Sequence, residues 1–205
     1  SPPRAARPPR RADRRSRETT ARRDRPSPTR TPRRRRGDPS RATTRAGALA
    51  QLTHFIKTSL VDFGPYEDAV SADSWALHHS LLSPYLNNGL LHASEVIDAV
   101  LLEYHAGHAP IGSVEAFVRQ IIGWREYLNG MYWHLGAEYR ENNQLNAQRK
   151  LLPLFQDSTK TKMNCVKSIV SDIETRAWTH HIPRLMILSN LALITGTKPI
   201  EFLDW

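Results

Sequence analysis

Cysteine is almost missing from this chain: Cys165 is the one thiol among 205 residues. A lone cysteine cannot close an intramolecular disulfide and indicates a reducing compartment. No run of 18 apolar residues occurs, so the sequence offers no membrane span. The first residues carry no apolar h-region, so no secretory signal peptide is expected in them. Leu, Ile, Val, Phe, Tyr, Trp and Met are all absent before Leu49. There is also no G-x-G-x-x-G, no β-type alternation and no internal repeat.

What is abundant is arginine, and it is concentrated at one end. Residues 1–46 hold 17 of the 29 Lys and Arg and 4 of the 20 Asp and Glu, a balance of +13. The remaining 159 residues hold 12 basic and 16 acidic groups, a balance of −4. The segment 1–46 cannot bury enough apolar surface to offset roughly 1–2 kcal/mol of backbone entropy per residue, so it is expected to be disordered. Its eight prolines interrupt any amphipathic transit-peptide helix. It reads as a salt-sensitive polyanion binder, a solvated extension, or read-through of GC-rich sequence.

From Gly47 onward the pattern is helical. Leu49, Leu52, Phe55, Ile56 and Leu60 form one buried stripe, and Phe63-Gly64-Pro65 should stop it. Ser83-Pro84 reads as an N-cap followed by Pro at the first helical position. Ser94 and Ser113 mark two further helix starts. The helix from Ser113 runs through Val114, Phe117, Ile121, Trp124, Tyr127 and Leu128, dense enough in apolar residues to be central. Met163–Trp178 is a fourth helix, Pro183 lies in the first turn of a fifth, and Thr197 caps a sixth that meets no stop signal by Trp205. The domain division expected is therefore a disordered segment 1–46 and an all-α body 47–205.

Three constellations carry chemistry. His79-Ser80-Leu81-Leu82-Ser83-Pro84 places two hydroxyls beside a helix start, a phosphate cradle or simple capping. Gly123-Trp124-Arg125-Glu126-Tyr127 sets an arginine among aromatics, where burial would require an anion, either Glu126 or a ligand phosphate. In Trp178-Thr179-His180-His181-Ile182-Pro183-Arg184, His181 and Arg184 share a helix face. Adjacent histidines on a helix point different ways, so one of His180 and His181 is structural. The histidine spacing is poor for zinc.

The series F-G-P-Y-E-D-A (63–69), H-S-L-L-S-P-Y-L-N-N-G-L-L (79–91), F-V-R-Q-I-I-G-W-R-E-Y-L (117–128) and H-H-I-P-R-L-M (180–186) resembles the photolyase/cryptochrome superfamily. The likeness is strongest to its prokaryotic iron–sulfur branch, whose members include (6-4) photolyases. It implies an all-α, FAD-binding domain of photolyase type, truncated relative to the family and preceded here by the Arg/Pro-rich segment. Ser80, Leu82 and Ser83 fall in the loop that holds the FAD phosphates in such proteins, with His79 where threonine is common. Arg125 and Arg184 match flavin-contacting arginines, and Trp124 an aromatic beside the damaged base. His181 matches the proposed acid of (6-4) repair, with His180 beside it. Trp205 matches an electron-transfer aromatic, and Cys165 the first of four ligands to a 4Fe-4S cluster. The other three have no counterpart here, so a cluster is not expected to form. Asp157 stands near a family electron-transfer tryptophan.

The function implied is flavin-mediated, light-dependent repair of pyrimidine (6-4) photoproducts by a carbon–carbon lyase. Its partner would be UV-damaged DNA, with Trp124, Tyr127, Trp178 and His181 meeting at one cavity. A cytoplasmic monomer is expected. The competing functions are a cryptochrome-like blue-light receptor, a nucleic-acid-binding protein acting through residues 1–46, and an inactive product lacking the antenna domain and the C-terminal flavin contacts.

Overall fold

A computed structural model describes residues 41–205. The disorder expected for the arginine-rich segment lies, through residue 40, outside the described residues. Among them the fold is all-α, with no strand and one isolated bridge between Arg149 and Thr197. No helix among them is long and apolar enough to cross a membrane.

Helix α1 (Arg45–Thr58) begins two residues before the expected Gly47, because Thr44 Oγ1 accepts the Gly47 N–H at 3.2 Å. Contrary to expectation, Phe63-Gly64-Pro65 does not stop the helical path. The break falls at Ser59, and α2 (Leu60–Tyr66) carries Pro65 inside it. A proline at this point leaves the Val61 carbonyl without its usual i+4 donor. Ser113 Oγ supplies the missing bond, donating to Val61 O at 2.6 Å and accepting the Gly64 N–H at 3.1 Å. A Cβ on Gly64 would come within 3.0 Å of the Ser113 Cα, so glycine here is what admits the approach. Ser113 therefore stitches two helices and does not start one: α5 (Ile111–Ile122) begins after Pro110.

Two other expected caps shift in the same way. Helix α3 (Ser83–Asn87) has Leu82 at its N-cap, and α4 (Ala93–His105) has His92, whose N–H is accepted by Glu95 at 2.6 Å. Around α1, α2, α4 and α5 lies the larger core, where the Phe117 ring sits 4.7 Å from Phe55 and 5.3 Å from Phe63.

Helix α5 continues through a π-helical turn (Gly123–Tyr127) into α6 (Leu128–Leu135). Its first half is buried as expected; its second half is not. Trp124, Tyr127 and Leu128 are exposed, so the apolar density did not make this helix central along its whole length. A smaller core joins α7 (Asn164–Arg176), a π-helical stretch (Pro183–Ser189) and α8 (Asn190–Ile194) through Phe155, Val166, Val170 and Leu188. Helix α9 (Pro199–Asp204) starts from Lys198, not Thr197, whose side chain is buried.

Candidate functional site

A cavity of about 370 Å³ lies where the 79–83 loop, α5 with its π turn, and the 178–184 segment converge. That volume is within the range of small-molecule sites.

The loop is held in an unusual conformation. Leu77 (φ 42°) and Leu81 (φ 57°) both sit in the left-handed region, which costs a bulky residue roughly 1–2 kcal/mol each. Gln51 Nε2 donates to Ser80 O at 3.3 Å and Ser80 Oγ accepts the Leu82 N–H at 3.4 Å, fixing the turn from both sides. Ser80, Leu81, Leu82 and Ser83 all line the cavity. Backbone strain of this kind concentrates at ligand sites.

The π turn supplies Trp124 and Arg125. A π turn widens the helix locally and re-aims side chains, and such turns recur at functional sites. Trp124 is oriented by a relay: its Nε1–H donates to Gln120 Oε1 at 2.9 Å, and Gln120 Nε2 donates in turn to the Glu67 carboxylate. Arg125 is half-buried on the same wall.

The third wall comes from the 178–184 segment. Helix α7 ends on Ala177, left-handed at φ 53°, and this reversal turns Trp178 and Thr179 toward the cavity. Arg184 Nη2 donates to Thr179 O at 2.8 Å; the residue is exposed overall, yet partial burial lowers the guanidinium pKa. Neither Arg125 nor Arg184 forms an ion pair with a carboxylate among the described residues. The Glu126 pairing considered for Arg125 is not made.

His79 and His181 also line the cavity, and His79, His180 and His181 take distinct roles. His180 is buried, donates from Nε2 to Glu67 O at 3.1 Å, and accepts the Ile182 N–H at Nδ1, 2.9 Å away. Both its nitrogens serve the main chain, and it faces a second cavity of about 280 Å³ instead. His181 is half-exposed, lines the first cavity and bonds Asp68 Oδ1 through Nε2 at 3.0 Å. The two rings nonetheless stack, 4.5 Å apart and 19° from parallel, because His180 precedes the helix and is not bound by its spacing. His79 stands edge-on to His180 at 4.0 Å. Its Nε2 is buried without a hydrogen-bond partner, and burial, followed by the neighbouring His180, lowers its pKa to about 4.

Of the residues singled out from sequence, Ser80, Leu82, Ser83, Trp124, Arg125, Trp178, His181 and Arg184 meet at this cavity. Tyr127 does not; it points to solvent. Trp205 lies elsewhere, with its ring 5.5 Å from both Phe155 and Phe202. Cys165 is exposed at the first turn of α7, and no group of three or more metal-binding side chains occurs among the described residues. One thiolate does not fit a four-iron cluster, which takes four. The residues not given roles from sequence are Glu67, Asp68 and Gln120. Glu67 and Asp68 sit in the F-G-P-Y-E-D-A motif, and only the tertiary fold shows that they reach histidines 113 residues away.

This helical body, with an aromatic cavity edged by two arginines and a histidine–aspartate pair, has the architecture of a photolyase-type helical domain. No family model matches the chain. Comparison with curated proteins finds 44% identity over 164 residues with a (6-4) photolyase of Agrobacterium fabrum, covering 80% of this chain and 32% of that protein. An uncharacterised protein of Acanthamoeba polyphaga mimivirus is 36% identical over 78 residues, 38% of this chain and 60% of that protein. The chain thus spans about a third of the photolyase it matches. Over that stretch the chain is similar to the photolyase/cryptochrome superfamily, and the identity supports its being part of such a protein.

Proposed function

We propose that this chain supplies the flavin- and lesion-facing wall of a light-dependent DNA repair enzyme acting on UV-induced pyrimidine (6-4) photoproducts. The observation that carries the reading is the pair of guanidiniums, Arg125 and Arg184, at one aromatic cavity with no carboxylate among the described residues paired to either. An uncompensated, partly desolvated cation is costly, and an anionic ligand relieves it. A planar ring system bearing phosphates satisfies both the aromatic walls and the two charges. The superfamily's FAD is such a group, and the buried, unpartnered His79 Nε2 is a further polar atom left open at the same wall.

When bound and reduced, FAD supplies a photoexcited electron; the residues here bind, orient and protonate. Ser80, Leu82 and Ser83 would face the phosphates from their strained loop, and Arg125 and Arg184 would hold the anion. Trp124, fixed by Gln120 and Glu67, offers a flat face for an extruded base. His181 donates Nε2–H to Asp68, so a proton passed to the lesion leaves from Nδ1 of the imidazolium. His180, with both nitrogens engaged, keeps the His181 ring in place by stacking.

The test is irradiation of the FAD-loaded full chain with an oligonucleotide carrying one (6-4) photoproduct. Blue-light-dependent return of the lesion to its two pyrimidines supports the reading. Flavin photoreduction without repair would point to a photoreceptor, and failure to bind FAD at all would overturn it.

A further inference from the structure

Trp75 and Trp178 form an edge-to-face pair, with ring centroids 5.4 Å apart and planes at 75°. Trp178 lines the 370 Å³ cavity that the proposed function assigns to a flavin. Trp75 does not reach that cavity; together with Trp178 it lines the second one, of about 280 Å³. Both indoles are half-buried, and neither is a member of either apolar core. The pair therefore carries ring contact from the cavity wall to a side chain with an edge in water.

The surroundings of the pair bear on what it can do. The Arg176 guanidinium lies 5.1 Å over the Trp75 ring and is itself paired with Asp172. Trp75 Nε1–H meets no acceptor among the described residues and is not sealed from water. His79, whose ring is 6.0 Å from Trp178, is uncharged at neutral pH because burial holds its pKa near 4. Indole gives up an electron more readily than phenyl or imidazole, and an oxidised flavin excited by light is a strong one-electron oxidant. Trp205, expected from the sequence to serve electron transfer, has phenylalanines as its ring neighbours, Phe155 and Phe202.

We infer that Trp178 and Trp75 form a two-indole electron path from the protein surface to the flavin cavity, separate from Trp205. The flavin in this path is that of the functional reading above, on which it rests. One electron leaves the Trp178 indole and is gained by the photoexcited flavin. An electron from Trp75 refills Trp178 and moves the positive hole one ring further from the flavin, which slows its return. The Arg176 cation disfavours a positive charge on Trp75, so this indole sheds its Nε1 proton to water and remains as a neutral radical. A small thiol in solution returns a hydrogen atom to Nε1, and two thiyl radicals combine as a disulfide. Neutral His79 places no charge against the hole on Trp178.

The experiment uses the full chain with FAD, without DNA, under blue light and with dithiothreitol as the thiol. Transient absorption follows the tryptophan radical, steady illumination follows loss of oxidised-flavin absorbance, and titration gives the FAD affinity. Trp75→Phe keeps a ring in the contact and removes the electron donor. It should abolish the long-lived neutral radical and slow flavin reduction by at least an order of magnitude, at unchanged FAD affinity. Trp75→Tyr, which can again be oxidised, should restore part of the rate, and Trp205→Phe should leave rate and radical as in wild type. Wild-type rate and radical in Trp75→Phe would overturn the inference while FAD binding left the functional reading intact. A merely structural Trp75 predicts weaker FAD binding in Trp75→Phe with the rate per bound flavin unchanged, and that result would overturn it too. A wild-type chain that binds no FAD would overturn the functional reading and this path together.

Discussion

His181 and Asp68, 113 residues apart in sequence, are joined by a 3.0 Å bond from the imidazole Nε2 to the carboxylate Oδ1 at the edge of the cavity. That bond fixes which ring nitrogen is free and how the ring is turned. General acid catalysis contributes typically 10²–10⁴-fold. On the proposed function, His181→Ala should therefore lower repair per bound flavin by about that factor while FAD stays bound and photoreducible. Asp68→Asn should cost less, about 10-fold, and move the pH profile of repair. Wild-type repair in His181→Ala would remove it from the chemistry.

Ser113 bridges α2 and α5 through Val61 O and Gly64 N, both beside Pro65. Ser113→Ala removes the hydroxyl and leaves the part-buried Val61 carbonyl without this donor, which costs at most about 1–3 kcal/mol. Urea denaturation should show this as a lower midpoint at unchanged slope. A loss under 0.5 kcal/mol would mean that the proline-containing helix does not depend on the serine.

The folded His79 remains neutral down to about pH 4, while an unfolded histidine takes up its proton near 6.5. Above pH 6.5 neither state is protonated and the residue adds no pH dependence. Between 6.5 and 4 the unfolded chain holds the extra proton, so stability falls as the pH drops, by at most about 1.4 kcal/mol per pH unit for one proton. His180, lowered in the same direction by burial, adds to the slope. Thermal melts from pH 7.5 to 4 should show a shallower decline for His79→Gln than for wild type. Parallel declines would assign the acid sensitivity to other groups.

Ala177 closes α7 at φ 53°. Glycine is free of the Cβ clash that alanine meets there, worth roughly 1–2 kcal/mol, partly offset by glycine's greater freedom in the unfolded chain. Ala177→Gly should leave the melting temperature unchanged or raise it by a few degrees, whereas Ala177→Val should lower it.

The sequence patterns located much of the cavity because most of its lining comes from three short runs, within 79–83, 124–125 and 178–184, the rest being contributed by α2, α3 and α5. Periodicity was less informative wherever a tertiary partner replaced a local one. Phe63-Gly64-Pro65 looked like a helix stop because the hydroxyl that rescues it lies on α5. The dense apolar pattern through Tyr127 looked central, yet its second half is exposed. Glu67 and Asp68 had nothing local to mark them, since their histidine contacts exist only after folding. His180 and His181 could not be told apart until the main-chain bonds to the first were visible.

On the proposed function, Arg184 helps to hold an anionic flavin in this cavity. Titrating FAD onto the full chain, followed by flavin fluorescence, tests it most directly in wild type, Arg184→Ala and Lys198→Ala. Loss of a charge-assisted bond costs about 1.5–3 kcal/mol, a weakening of roughly 10- to 150-fold. Lys198 sits before α9, outside the cavity, and its removal should leave affinity unchanged. Saturable one-to-one binding, weakened by that factor in Arg184→Ala alone, is the predicted result. No saturable binding in wild type, or equal affinity in all three proteins, would contradict the account.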